Sequence, residues 1–504
     1  MSAFVGIDLG TTNSAIAALD RSGRPEIIPN AEGEHITPSA VLFEPGAPLR
    51  PVVGQAAKAN ALVYPDRIFE GFKRDMATNR ARMLDGVAVT PTELSSLVLR
   101  KLAQDASRLL GDIDGAVVTV PANFANEARQ ATIHAGELAG LKVAHIINEP
   151  TAALFYYSFQ HVVGGTVMVY DFGGGTLDVT LAEVQGRDVR IVASKGDPKL
   201  GGLDFDRRLE DLIHRRFHET TGETWDAAAH QLHRPVEEYK KELSARESVN
   251  VQILGPRTRN VLVVTRREFE MATATLITRS DLLVDSVLAE AGLVPGDLSN
   301  CFLVGGSTRM PRVQEELARL LGREPVCHVN PDEVVAMGAA LYSGVRADPA
   351  QLNTAQATAL ANMKLQEVAN HYFGTISLYM GPGGVGRLVN SILIDKNSKL
   401  PCNRTESYYT VAAGQTAVNC TITQSATREQ DPDFVRVIWK GELGPLPADR
   451  PPNMEIRVTF SYDTNQVMHC DFEDVASGLR RSVDLGVRDG VELELPAKDK
   501  FVVE

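Results

Sequence analysis

Two stretches far apart in the chain follow one plan. GIDLGTTNSAIAALD, starting at Gly6, and VYDFGGGTLDVTLAEV, starting at Val169, each run an apolar strand into an aspartate. Each then turns sharply through glycine and threonine and leaves on a second apolar strand. Asp8 and Asp171 hold the strand-end positions. A carboxylate placed straight after apolar residues is costly unless it is paired, hydrogen-bonded or near a metal, and a hydrated divalent cation is its natural partner. The glycines allow positive φ and close backbone approach, so N–H groups and threonine hydroxyls can converge on phosphate oxygens. One such turn reads equally well as an ordinary β-hairpin. Two of them predict related lobes facing a shared cleft.

At 504 residues, and with about 100–200 residues per domain as the guide, the chain is expected to divide into three or more lobes. Its 44% hydrophobic and 23% charged residues fit a soluble globular protein, and no apolar run approaches the roughly 18 residues of a membrane span. The N-terminus, MSAFVGIDLG, has no basic segment, apolar stretch and small-residue cleavage site in succession, which predicts a cytoplasmic address. Cys301, Cys327, Cys402, Cys420 and Cys470 are odd in number and never spaced CxxC. That spacing argues against a disulfide framework and a zinc site, and predicts core residues. A net charge of −13 disfavours generic nucleic-acid or anionic-membrane binding. A local nest of N–H groups can still hold a nucleotide.

Up to Arg346, short β-branched runs alternate with longer helical stretches, the pattern of α/β layers. Strands are expected at AFVGIDLG, AIAALD, GAVVTV, KVAHIIN, TVMVYDFG, LDVTLAEV, DVRIVAS and CFLVGG. Helices are expected at NEARQATIHAGELAG, DFDRRLEDLIHRRFHE, PVEEYKKELSAR, FEMATATLITRSDLLVDSVLAEAG and MPRVQEELARLLG, several closed by a C-capping glycine. Residues 347–374 read as a connector, partly helical. From Thr375 to the end at 504, short alternating runs such as TISLYMGP, TAVNCTITQ and NMEIRVTFSY predict a β-sandwich. A third phosphate-like element is CFLVGGSTRMP, where a strand passes through Gly305, Gly306 and Ser307 into a helix N-terminus able to attract an anion. Neither a GxxxxGK(S/T) loop nor a GxGxxG fingerprint occurs, which disfavours the two commonest nucleotide folds.

GIDLGTTNS, FKRD, VVTVPANF, IINEPTAAL, VYDFGGGTLDV, GDPKLGGLDFDRRL, EEYKKELS, FLVGGSTRMP and VNPDEVVAMGAAL occur in that order. Together they resemble the nucleotide-binding domain of the seventy-kilodalton heat-shock chaperones, the DnaK family. The resemblance implies an actin-like ATPase domain of two duplicated lobes over residues 1–346, then the connector, then a β-sandwich peptide-binding-like domain over 375–504. ATP or ADP with Mg²⁺ is the implied ligand, and slow hydrolysis the implied activity.

By the same resemblance, Asp8 and Asp171 hold Mg²⁺ through its waters, as an ion that dehydrates reluctantly requires. Gly10, Thr11, Thr12 and Asn13, with Gly173, Gly174, Gly175 and Thr176, wrap the β- and γ-phosphates. Gly201, Gly202, Gly305, Gly306 and Ser307 line the phosphate pocket. Lys73 reaches the γ-phosphate and stabilises developing charge. Glu149 orients water or the metal shell, and Asp178 completes the acidic cluster near the attacking water. Glu237, Lys240 and Ser244, spaced i, i+3 and i+7, bind ribose and adenine, with Arg309 against the adenine ring and Asp332 close by. From the residues alone, NEP reads as a helix N-terminus and the Glu237 face as a charged solvent face. The sandwich is similar to the family's substrate domain, whose partner is an extended apolar segment of unfolded polypeptide, with Val418 either lining its pocket or filling the sandwich core.

The sequence departs from the family in three places. MKLQEVANHYFGTISL lacks the family's acidic, leucine-rich linker. His145 stands where an arginine normally meets J-domain co-chaperones, which weakens the expectation of that partner; a nucleotide-exchange factor is the other co-factor protein the resemblance implies. The chain ends GVELELPAKDKFVVE without a helical lid, so bound peptides are expected to exchange quickly. Two other readings compete with an ATP-dependent chaperone: an ATP-switched scaffold for one dedicated partner, and a small-metabolite kinase on the same fold.

Overall fold

The computed structural model describes residues 3–485 and 501, apart from 47, 77, 79, 161–163, 228, 256–258, 327–329, 382–384 and 465. The strand Ala3–Asp8 pairs parallel with Ile113–Val120 and antiparallel with Asn13–Leu19. Val143–Asn148 and Pro25–Ile27 extend this sheet on either side. The second lobe repeats the layout. Gly164–Phe172 pairs parallel with Leu298–Val304 and antiparallel with Leu177–Gln185, which pairs with Asp188–Asp197. A parallel bridge from Phe302 to Val326 echoes even the outermost place. The sequence echo is therefore a duplicated lobe of the actin-like ATPase type.

The expected helices form as Asn126–Leu138, Gly202–Thr221, Val236–Ala245, Arg266–Ala291 and Pro311–Leu321. Gly222, Gly292 and Gly322 cap three of them in the left-handed conformation. NEP does open a helix, Glu149–Gln160. That helix and Val334–Arg346 are buried nearly all round, so neither carries an amphipathic stripe to read in the sequence. They join the facing surfaces of both sheets in one apolar cluster. Their contact is so close that a Cβ on Gly338 would stand 1.8 Å from the carbonyl oxygen of Ala152.

The connector segment holds the helix Thr354–Leu360 and then a strand, Lys364–Gln366, which pairs parallel with Asp188–Arg190 at the edge of the second lobe's sheet. Three residues are too few to show alternation. The next strand, Tyr372–Met380, opens a sandwich of two four-stranded sheets. Phe373, Ile422, Phe460 and Phe472 fill its core, and Arg450 pairs with the fully buried Asp474 at 2.6 Å. Glu290 at the end of a second-lobe helix binds Lys195 and, in the sandwich, Lys396, both at 2.9 Å. Arg436 reaches Glu127 of the first lobe at 3.0 Å. Cys301, Cys402, Cys420 and Cys470 are free thiols, and Cys327 lies outside the described residues. Of the ending GVELELPAKDKFVVE only Phe501 is described, its ring centroid 5.3 Å from that of Phe43 in the first lobe.

Candidate functional site

Asp8 ends its strand and Asp171 lies one residue before the end of its own, and both face a single cavity of about 680 Å³ between the lobes. The turns that follow touch each other. A Cβ on Gly174 would stand 2.4 Å from the Thr12 side chain, and one on Gly175 would stand 2.2 Å from Thr11 Oγ1, so only glycine fits at either position. Gly10, Thr11, Thr12 and Asn13 form one wall of the cavity. Gly173, Gly174, Gly175, Thr176 and Gly202 form the other, and Gly305, Gly306 and Ser307 close it. Ser307 Oγ donates to the carbonyl of Gly173 at 2.8 Å, tying the third turn to the second. Gly201 sits behind this wall, where a Cβ would fall 2.5 Å from the backbone of Gly175.

At the far end, Glu237, Lys240 and Ser244 share a face of the helix Val236–Ala245 and line the same cavity as Arg309 and Asp332. Lys240 Nζ donates to the Gly202 carbonyl at 3.0 Å and pairs with Asp206 at 2.9 Å. Ser244 Oγ donates to the Lys240 carbonyl at 3.2 Å. Arg309, half exposed at the rim, is held by Asp332 at 2.7 Å and by Asn330 at 2.8 Å, which leaves a flat guanidinium face beside the cavity.

The chemistry concentrates at the inner end. Lys73, on a single turn of 3₁₀-helix, forms a buried ion pair with Glu149, the first residue of its helix. Asp171 and Asp178 are opposite one another in the strand ladder, and Asp178 is completely enclosed. Burial, reinforced by the charge of Glu149, pushes the Asp8 carboxyl up to about 7. The same two causes raise Asp171 and Asp178 well above the ordinary carboxylate range. Thr119 Oγ1 donates to Asp8 at 3.0 Å and works in the opposite direction. Four carboxylates thus face one ammonium, and neither oxygen of Asp178 has a hydrogen-bond partner of good geometry, although the nearby Asn123 backbone N–H favours its charged form. A cation suits such a set. Among the described residues no three acidic, histidine or cysteine side chains converge to hold a metal directly.

The cleft thus gathers the site residues singled out within residues 1–346, with Lys73, Asp178 and Gly201 just outside the cavity lining. Val418 lies in the sandwich, partly buried against its core. The ring of His145 meets Tyr342 edge-on at 6.2 Å.

Four further residues belong to the site. Lys58 reaches across the cleft mouth to Glu237 at 2.5 Å, from a five-residue helix too short to show periodicity. Arg74 donates to the Gly175 carbonyl at 2.7 Å and pairs with Asp204 at 2.5 Å, bridging the lobes. Thr119 and Asn123 flank the acidic cluster. Arg74, Thr119 and Asn123 all sit inside FKRD and VVTVPANF, the motifs that signal the site in the sequence. The family model described as Hsp70 protein matches residues 4–494, nearly the whole chain.

Proposed function

The chain belongs to the Hsp70 protein family, whose members are chaperone ATPases, and from that membership we propose that it binds and slowly hydrolyses ATP to regulate its hold on unfolded polypeptide segments. The observation that carries this reading is the pair of Asp-and-glycine turns lining one cavity, with four carboxylates set around a single lysine.

Asp8 and Asp171 would hold Mg²⁺ through water, and the ion would supply charge neutralisation at the phosphates. The backbone N–H groups of the two turns grip the phosphate oxygens. Lys73 offsets charge that builds on the terminal phosphate, Glu149 fixes that lysine, and Asp178 accepts a proton from water. Because Glu149 and Lys73 already pair, the ammonium is oriented before the nucleotide arrives, and little reorganisation accompanies the reaction. Glu237, Lys240, Ser244, Arg309 and Asp332 hold the nucleoside.

On the sandwich, the hairpin formed by Tyr372–Met380 and Gly386–Ile394 leaves Leu378, Tyr379, Met380 and Leu388 exposed, with Leu378 opposite Leu388. An apolar patch of this kind suits an extended peptide segment. A cytoplasmic address and regulation by J-domain and exchange-factor partners complete the proposal.

The test is ATP turnover with and without an unfolded peptide, in the wild type and in Lys73→Ala. Slow turnover stimulated by peptide is expected, with a loss of about a hundredfold or more in the variant and nucleotide binding retained. A wild-type chain that takes up no adenine nucleotide in calorimetry would overturn the reading. Binding to one partner with silence on a peptide array would favour the dedicated scaffold instead.

A further inference from the structure

Asn123 lies in the loop between the strand Ile113–Val120 and the helix Asn126–Leu138. Both polar atoms of its side-chain amide are shielded from solvent and lack a hydrogen-bond partner, and the carboxylate oxygens of Asp178 are as enclosed, with no partner of good geometry and only the Asn123 backbone N–H nearby. The two groups converge over Gly196. A Cβ there would stand 2.4 Å from Asn123 Nδ2 and 2.1 Å from Asp178 Oδ1, so the missing side chain at Gly196 is what lets the amide and the carboxylate come together. They border the reactive end of the cleft, since Asp178 is the ladder partner of Asp171 and feels the charges of Glu149 and Lys73.

Buried polar groups without partners are uncommon, and a group of them around one space is the usual setting of an ordered water, which needs about two to four polar neighbours. We propose that Asn123 is a positioning residue that holds the attacking water against Asp178. This rests on the ATPase reading above. An amide offers both a donor and an acceptor whichever way it is turned. One of its N–H bonds donates to the water oxygen while the water donates to the Asp178 carboxylate, which leaves the second lone pair free for attack. The water oxygen bonds to the terminal phosphorus, and its proton passes to Asp178. The bond from that phosphorus to the bridging oxygen breaks, and its electron pair leaves on ADP.

The test compares the wild type with Asn123→Leu, similar in size but without polar atoms, Asn123→Ser, which can still bond a water, and Asn123→Asp, which loses the donor. Single-turnover hydrolysis is expected to fall about a hundredfold in Asn123→Leu and strongly in Asn123→Asp, and to recover most of the way in Asn123→Ser. ATP affinity by calorimetry is expected to stay at the wild-type value in all three. Crystals of the wild type and Asn123→Ser are expected to show an ordered water between residues 123 and 178 that Asn123→Leu lacks. Wild-type rates in Asn123→Leu and Asn123→Asp, or affinity falling in step with rate, overturn the proposal. A wild type that binds ATP without turning it over overturns the ATPase reading itself.

Discussion

The side-chain amide of Asn148 donates to both carboxylate oxygens of Glu367, each at 3.4 Å. Its oxygen accepts from Arg129 at 2.8 Å. The next residue along the chain is Glu149, which holds Lys73. The connector is therefore tied to the first lobe one peptide unit from the ion pair at the head of the cleft, and Lys364–Gln366 is tied to the second lobe's sheet.

Burial pushes Glu367 up to about 7 from an ordinary 4.5, against the opposing pull of Thr151 and Arg129. A carboxyl that holds its proton more tightly in the docked state contributes stability below 4.5, and that contribution is lost as pH rises through about 7. Hydrogen-exchange protection of residues 364–366 is expected to decline over this interval in the wild type and to stay level in Glu367→Gln. Equal slopes in the two proteins would exclude Glu367 as the source.

The Lys58–Glu237 pair closes the mouth of the cleft and is partly exposed on both sides. Pairs of this kind contribute modestly and are screened by salt. Lys58→Ala is expected to release a fluorescent ATP analogue about two- to fivefold faster at low ionic strength, and the difference should vanish in high salt. Stopped-flow release at the two salt concentrations decides the matter.

Gly338 lets the helix Val334–Arg346 lie directly on the helix Glu149–Gln160. A methyl group there overlaps the Ala152 carbonyl, and overpacking of this kind costs about 1–3 kcal/mol. Gly338→Ala should lower the urea midpoint accordingly, and because the helix it displaces begins at Glu149, it should also weaken nucleotide binding. A midpoint equal to the wild type would show that the helices separate without penalty.

Phe501 covers Phe43 at the edge of the first lobe's core. Aromatic pairs contribute about 0.5–1.5 kcal/mol beyond their buried area. Phe501→Ala is expected to speed hydrogen exchange in the strand Ala40–Glu44 with ATP affinity unchanged. Exchange at the wild-type rate would mean that the ring adds nothing to that strand.

The duplicated turns around Asp8 and Asp171, the third turn at Gly305, the helices with an apolar stripe and the alternating strands of the sandwich could all be read from local pattern. Each follows from rules that act over a few residues: period, capping and the steric freedom of glycine. Segments buried on every side resisted reading, apart from the NEP start of one helix. The helices Glu149–Gln160 and Val334–Arg346 show no periodic stripe, and Lys364–Gln366 is too short to show one.

What the sequence determined by itself is thus the inventory of the cleft: which aspartates, glycines and lysine it would contain, in what order, on which kind of turn. The tertiary structure decided everything that depends on distance between lobes. Lys58 meets Glu237, Arg74 meets Asp204, Asn123 faces Asp178 and Glu367 reaches Asn148 only because two sheets and a connector fold onto one another. A charged or amide side chain carries no local mark of its partner. Whether it stays solvated or is buried against a counter-charge is settled by packing, where desolvation and pairing are large opposing terms of similar size.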